Sequence, residues 1–219
     1  MLRRPSLPSR GLVFVSAVVL VASAAGCTQL LLTSLFMFGK YETPAEFTEL
    51  KGKKTAVVCR PLVELEYSSS SAADQLARVT GMLLKQKGKK VDVISSQKIE
   101  QWADEHDWED FAEVGKAVKA DYVVGIEIEE FSLYQGQTVY QGRARVRVTV
   151  NDMSKEGDVV FEKMLPEIIY PPSGGVPTSD KSEEEFRRQF TGIVAEKIGR
   201  VFYSWDHRDD AAMDSRALD

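Results

Sequence analysis

Residues 122–129 read Tyr-Val-Val-Gly-Ile-Glu-Ile-Glu, and after a turn at Tyr134-Gln135-Gly136-Gln137, residues 138–151 read Thr-Val-Tyr-Gln-Gly-Arg-Ala-Arg-Val-Arg-Val-Thr-Val-Asn. Both are rich in β-branched residues and read as strands. The second alternates cleanly, with Arg143, Arg145 and Arg147 on one face and Ala144, Val146 and Val148 on the other. Such a period of two means one face buried and one solvated or covered by polar contacts. If Ile126 and Ile128 share the buried face with Ala144 and Val146, then Glu127 and Glu129 lie outside with the arginines. The expected direct pairs are Glu127 with Arg145 and Glu129 with Arg143. A two-residue hairpin at Gln135-Gly136 would set glutamates opposite core residues, so an odd-length loop or a bulge near Gly136 or Gly142 is predicted. Cross-strand ion pairs of this kind contribute ~0.2–1 kcal/mol each.

Upstream, Lys54–Arg60 forms a short strand closed by Pro61. A serine run, Ser68–Ser71, precedes a helix in which Ser71 and Asp74 resemble a capping box and Leu76, Val79, Leu83 and Leu84 recur at helical spacing. It ends near Gly88, where Lys85, Lys87, Lys89 and Lys90 suit the negative end of the helix dipole and read as a solvated face. Val91–Ile94 is a second strand, Gln97–Glu105 a helical segment, and Trp108–Lys119 a further helix started by Asp107 with Asp110. Strand, helix, strand, helix, helix, strand calls for crossovers and a parallel core.

Downstream, residues 152–158 make a turn, and Val159–Ile169 is a last strand that Pro166 confines to an edge or a bulge. The segment 170–181, YPPSGGVPTSDK, is the most loop-like in the chain and is the candidate contact loop, centred on Tyr170, Pro171, Pro172, Gly174 and Gly175. Ser182 with Glu185 starts a final helix whose stripe, Phe186, Phe190, Ile193, Val194, Ile198, Val201, Phe202 and Trp205, is expected to cover the sheet. The predicted fold is α/β with an α+β tail. It has a mixed five-stranded sheet in the order β-α-β-α-α-β-β-β-α, preceded by an N-terminal membrane-targeting helix.

That leader has the three parts of a secretory signal: Arg3, Arg4 and Arg10, an apolar run over residues 11–25, and small residues before a cut site. The site Ala24-Ala25-Gly26-Cys27 resembles the bacterial lipoprotein lipobox, whose cysteine is acylated and becomes the first residue after cleavage. Palmitate is the expected acyl group by that resemblance. Apolar character continues through Leu30–Phe38, so residues 11–38 are also long enough for an uncleaved single-span signal anchor. Either way the arginines stay cytoplasmic and the rest is exported to the periplasmic side of a bacterial envelope. The domain reading is a lipoprotein signal peptide over 1–26, a lipid-anchored apolar segment and tether over 27–53, one α/β domain over 54–205, and a disordered tail over 206–219. The partners expected are the membrane, through acylated Cys27 and Leu30–Phe38, and other envelope proteins.

Loss of the leader leaves 193 of 219 residues, enough for one real core, and takes the formal charge from −5 to −8. An acidic balance argues against a nucleic-acid surface. Cys59 sits in an apolar run and reads as a small buried hydrophobe.

The segment Glu113-Val114-Gly115-Lys116-Ala117-Val118-Lys119-Ala120-Asp121-Tyr122-Val123-Val124-Gly125-Ile126 carries a local likeness, a helix with a glycine leading through Ala-Asp into a central strand. It resembles the periplasmic α/β domain of CsgG-type curli-secretion lipoproteins and the TolB amino-terminal domain. That resemblance implies an assembly or interaction role without catalytic residues. The short, charged connections here depart from the long pore-forming hairpins of the curli channel.

No catalytic, metal or cofactor site is predicted. His106 and His207 have no metal-ligand spacing, and no nucleophile-elbow, phosphate-loop or dinucleotide motif occurs. Adjacent residues Asp104, Glu105, His106 and Asp107 do not share a helix face. The expected function is that of a non-catalytic envelope lipoprotein acting by protein contact. The alternative is a small-ligand binder or hydrolase using the face around Glu127, Arg143 and Arg145.

Overall fold

The computed structural model describes residues 42–61 and 66–209. Cys27, Leu30–Phe38 and most of the expected tail therefore lie outside the described residues. The elements are β1 (Glu42–Thr43), β2 (Lys54–Pro61), α1 (Glu66–Lys87), β3 (Asp92–Val93), α2 (Ser96–Glu105), α3 (Phe111–Val118), β4 (Tyr122–Tyr134), β5 (Val139–Asp152), β6 (Asp158–Met164), β7 (Ile168–Tyr170), β8 (Val176–Pro177), α4 (Glu183–Gly199) and β9 (Trp205–Asp206). The main sheet runs β3-β2-β4-β5-β6, with β7 and β8 also pairing β5. Strand β2 is parallel to β3 and β4, whereas β4, β5 and β6 are antiparallel to their neighbours.

The mixed α/β architecture agrees with the sequence, but the sheet has seven strands and not five. The predicted strand 159–169 is two, because Leu165-Pro166-Glu167 interrupts it. Proline cannot donate to a ladder, and the strand resumes beyond it on the same partner, β5.

One face of the sheet is covered by α1 and α4. Leu76 and Leu84 from α1, and Phe186, Phe190, Val194 and Ile198 from α4, pack on Val124, Ile126, Ile128, Val146, Val148 and Val150. Among the described residues, the other face is covered by α2 and α3, through Ile99, Phe111, Val114 and Val118 against Ala56, Val58 and Val123. Close approach there needs glycine: a Cβ on Gly125 would lie 2.5 Å from both the Phe111 ring and Thr149 Oγ1.

Several element ends differ from the sequence reading. Helix α1 begins at Glu66, so the serine run and Ser71 are inside it, since serine lowers helix propensity by only tenths of a kcal/mol (~0.5) and tertiary packing decides. Helix α3 begins at Phe111, with the Asp110 carboxylate accepting from the Ala112 amide at 2.9 Å. Helix α4 does start at the predicted cap, Ser182 Oγ accepting from the Glu185 amide, but it stops at Gly199. Beyond it the turn tightens, with Val201 and Phe202 amides bonded to the carbonyls three residues back. The freed Val201 carbonyl then accepts from the amides of Glu46 and Phe47.

Residues 42–53 are consequently part of the domain and not a tether. Phe47 and Leu50 are buried, with Phe47 against Tyr122, Phe161 and Phe202. Trp205 and Asp206 pair with β1, so neither Trp205 in the helix nor Asp206 in a disordered tail holds.

Gly125→Ala should destabilise the protein by ~1–3 kcal/mol through overpacking against Phe111. Gly192→Ala, in α4 with open space around it, should stabilise by ~0.5–1 kcal/mol. Urea unfolding midpoints read both, and equal effects would disprove the close approach at Gly125.

Candidate functional site

Because α3 ends its cover of β4 near Gly125, the second face of the sheet is open from Glu127 onward, and there it is charged. The observed register pairs Glu127 with Arg147, Glu130 with Arg145 and Ser132 with Arg143. Glutamates do face arginines, but two residues further along β5 than the predicted Glu127–Arg145 and Glu129–Arg143 pairs. The offset at Glu127 is set at the turn, where Tyr134 pairs with Tyr140, and the register shift between Ile128 and Glu130, undone by a second one toward the tip, acts only locally. That shift places Glu129 and Glu130 on the same side and turns Phe131 and Leu133 toward the core, where Phe131 meets Phe190. A second irregularity lies between Ser132 and Tyr134, opposite Gln141-Gly142, and the final pair is Tyr134 with Tyr140. A Cβ at Gly142 would lie 2.5 Å from the Phe190 ring, so this stretch of β5 runs close over α4.

The side chains form a continuous ladder. Arg147 is its hub: Nη2 donates to Glu129 Oε1 at 2.9 Å, Nη1 donates to Glu162 Oε1 at 3.0 Å, and Nε lies 3.8 Å from Glu127 Oε2. The bond to Glu129 holds the Arg147 guanidinium above its ordinary pKa. Arg60 Nη2 donates to Glu127 Oε1 at 2.6 Å, Nη1 donates to the Glu109 carbonyl, and the guanidinium lies 4.8 Å over the Phe111 ring. Arg145 bonds Glu130 at 2.9 Å, and Arg143 reaches Glu167 at 3.7 Å and Gln141 at 3.4 Å. Arg60, Glu130, Glu162 and Glu167 were not singled out from the sequence. Their membership depends on which strand lies beside which, and the alternation of charge on β4 and β5 shows only half of that.

Arg147 has three carboxylates around it, and each cation of the ladder has at least one. Two grooves lie off this face. One of about 440 Å³ runs beside β7 and α4 and includes Tyr170, Ile193 and Trp205, touching the ladder through Glu167. Another, about 430 Å³, lies between α1 and α4.

The predicted contact loop is divided by burial. Tyr170 is core, 1% exposed and packed near Phe186, and Pro171 is buried too. Pro172, Ser173, Gly174 and Gly175 are exposed, as are Pro177, Ser179 and Asp180 further along. The loop is stitched to the hairpin: Gln141 Nε2 donates to the Pro171 and Gly174 carbonyls, and β8 pairs with Val139 and Tyr140. Cys59 is half-buried and free, and burial pushes its thiol pKa up. His106 Nδ1 lies 2.8 Å from the Trp102 carbonyl, and His207 Nε2 lies 3.0 Å from Thr43 Oγ1, so the two histidines serve separate local contacts. Among the described residues, no three His, Cys, Asp or Glu side chains gather as a metal site, and no helix is long and apolar enough to cross a membrane.

No protein-family model matches the chain, and no curated protein does. Among solved structures, it is similar to a PelC dodecamer from Paraburkholderia phytofirmans, at 17% identity, covering 74% of this chain and 96% of that one, with a TM-score of 0.45. A protein from Xanthomonas campestris matches at 12% identity over 80% of this chain and 92% of that one, TM-score 0.45. A lipoprotein from Neisseria meningitidis matches at 14% identity over 66% and 96%, TM-score 0.39. At these scores the likenesses carry no argument about this chain, and they do not single out the CsgG or TolB families.

Replacing Arg147 by Leu should lower the urea midpoint at neutral pH, because Glu127, Glu129 and Glu162 are left facing one another. That repulsion, and the attraction it replaces, are screened by added salt, so the gap to wild type should narrow as ionic strength rises toward ~1 M. A gap independent of salt would mean that Arg147 acts by packing alone.

Proposed function

We propose that this chain is a bacterial envelope lipoprotein, attached by lipid at Cys27, whose α/β domain works on the exported side as a non-catalytic interaction or assembly module. The observation that carries the contact role is the ladder. A site for acid–base chemistry needs a carboxylate poised toward a substrate in a concave pocket. Glu127, Glu129 and Glu130 instead each bond an arginine on adjacent strands of the sheet. Half-exposed ion pairs are weak individually and can exchange partners at small cost, which suits recognition of a charged surface on another protein.

The membrane half of the reading rests on Gly11–Cys27, with arginines before it and small residues at the cysteine. Partner proteins are other envelope components, and a cofactor has no role in this reading.

Mass spectrometry of the mature amino terminus tests it. Wild type should begin at an acylated Cys27, and Cys27→Ser should accumulate uncut with residues 1–26 retained. An unprocessed, unacylated wild-type chain would replace the lipoprotein by a signal-anchored protein. For the contact role, the charge-swapped pair Arg145→Glu/Glu130→Arg, which keeps the cross-strand attraction, should abolish an envelope function assayed by complementation while leaving the urea midpoint nearly unchanged. Retained function in the swapped pair would show that the pair is merely structural.

A further inference from the structure

The ladder is one of two charged surfaces, and the second is chemically different. Strands β2, β3 and β4 are parallel, so their amino-terminal ends lie together, Lys54 beside Asp92 and Thr55 beside Tyr122. The Gly52 amide bonds the Lys90 carbonyl at 2.9 Å, and the Asp92 amide bonds the Lys53 carbonyl at 3.1 Å. These two bonds set the run Lys51–Lys54 beside Lys89-Lys90, segments about 35 residues apart in sequence. The lysine cluster visible at the end of α1 is thus doubled by a second one.

Lys51, Lys53, Lys54, Lys89 and Lys90 are all exposed, and among the described residues none of their ammonium groups is in an ion pair. Lys87 differs, since both Glu196 oxygens accept from it at 2.9 Å. The carboxylates nearby are otherwise engaged or single: Glu49 accepts from the Tyr122 hydroxyl, Asp121 from the Lys54 amide, and Asp92 stands at the start of β3. An unpaired basic patch on a chain of formal charge −5 is a local reversal of sign.

Its position supplies the occupant. A groove of about 360 Å³ is lined by Lys51, Lys87 and Lys89 together with Pro44 and Ala45, the residues directly after β1. Only Gly39, Lys40 and Tyr41 separate Phe38, the last apolar residue of the leader stretch, from Glu42. If Phe38 lies at a bilayer, the chain delivers Glu42 within ~14 Å of it. That upper bound is nearly two Debye lengths at physiological salt, ~8 Å each, so a path short of full extension brings the lysines into the field of anionic headgroups.

We propose that this lysine-bearing end of the sheet is the membrane-facing surface of the domain and docks on anionic phospholipid headgroups. The inference rests on the membrane attachment proposed above and adds an orientation. The hairpin tip at Tyr134, the opposite end of a 13-residue strand, then points away from the bilayer.

The full chain, reconstituted with vesicles of phosphatidylcholine alone or of phosphatidylcholine with phosphatidylglycerol, tests it by amine acylation read by mass spectrometry at each lysine. Lys51, Lys53, Lys54, Lys89 and Lys90 should be acylated several-fold more slowly on the anionic vesicles, and Lys181, at the hairpin end, equally on both. Equal rates at all six would overturn the docking surface while leaving attachment intact. Binding to anionic vesicles alone would keep the docking surface and overturn the anchor; binding to neither would overturn both. The variant Lys51→Glu/Lys53→Glu/Lys89→Glu/Lys90→Glu should stay vesicle-bound, and Lys54 in it should lose its protection. Retained protection would overturn the proposal.

Discussion

The constraint on which the molecule depends is a mismatch of lengths across the sheet. Strand β4 has 13 residues and extends ~44 Å, whereas α3, the helix packed on its second face, has eight residues and extends ~12 Å. On the first face α1 and α4 together cover the core row, so Val124, Ile126 and Ile128 are all apolar and buried. On the second face the cover ends where Phe111 meets Gly125. Past that point an apolar row would be exposed to water and an unpaired charge would face half-buried neighbours. Alternating Glu and Arg on adjacent strands meets both conditions, since each charge finds a counter-charge and all keep partial contact with water.

Asp121 converts this arrangement into a fixed register. Its carboxylate accepts from the Lys54 amide, its own amide donates to the Lys54 carbonyl, and its carbonyl accepts from the Met153 amide. One residue thereby pins the start of β2 and the end of β5 to the start of β4. From that clamp the pairing Tyr122–Asp152 propagates without irregularity to Ile128–Val146, and it brings Arg147 opposite Glu127. The short helix α3 is held against the same end, because Gly115 lets Val123 and Met153 come within the space a Cβ would fill. The motif of a helix glycine followed by Ala-Asp and a strand is therefore a corner joint, and its chemistry is that of backbone bonding.

The faces of β4 and β5 were legible from sequence because alternation reports which side a residue takes. The partners were not, because register depends on where an extra residue is absorbed. Val123 to Ile128 and Ala144 to Val150 follow the expected parity. Glu129 is the residue at which it fails, and the apolar pair Phe131 and Leu133, now on odd positions, was the available sign of the flip. Phe47 and Leu50 were hidden differently. Two apolar residues in a polar run have no period, and their burial follows from the Val201 carbonyl left free when α4 tightens and stops. Trp205 continued the helical stripe in sequence only because the chain after Gly199 still lies over the same core.

The two charged surfaces act over different distances. In the ladder, positive and negative charges alternate within a few ångströms, so their fields cancel beyond about a Debye length, ~8–10 Å, and contact there discriminates by pattern. The lysine end has same-sign charges without ion-pair partners, so its field adds and reaches further, which favours alignment on an extended charged plane over selection of one partner. A domain held at that end would turn about the bilayer normal, with the ladder running along the strands away from the membrane. In the proposed docked geometry the ladder would stay open to proteins standing beside it, with orientation falling to one surface and selectivity to the other.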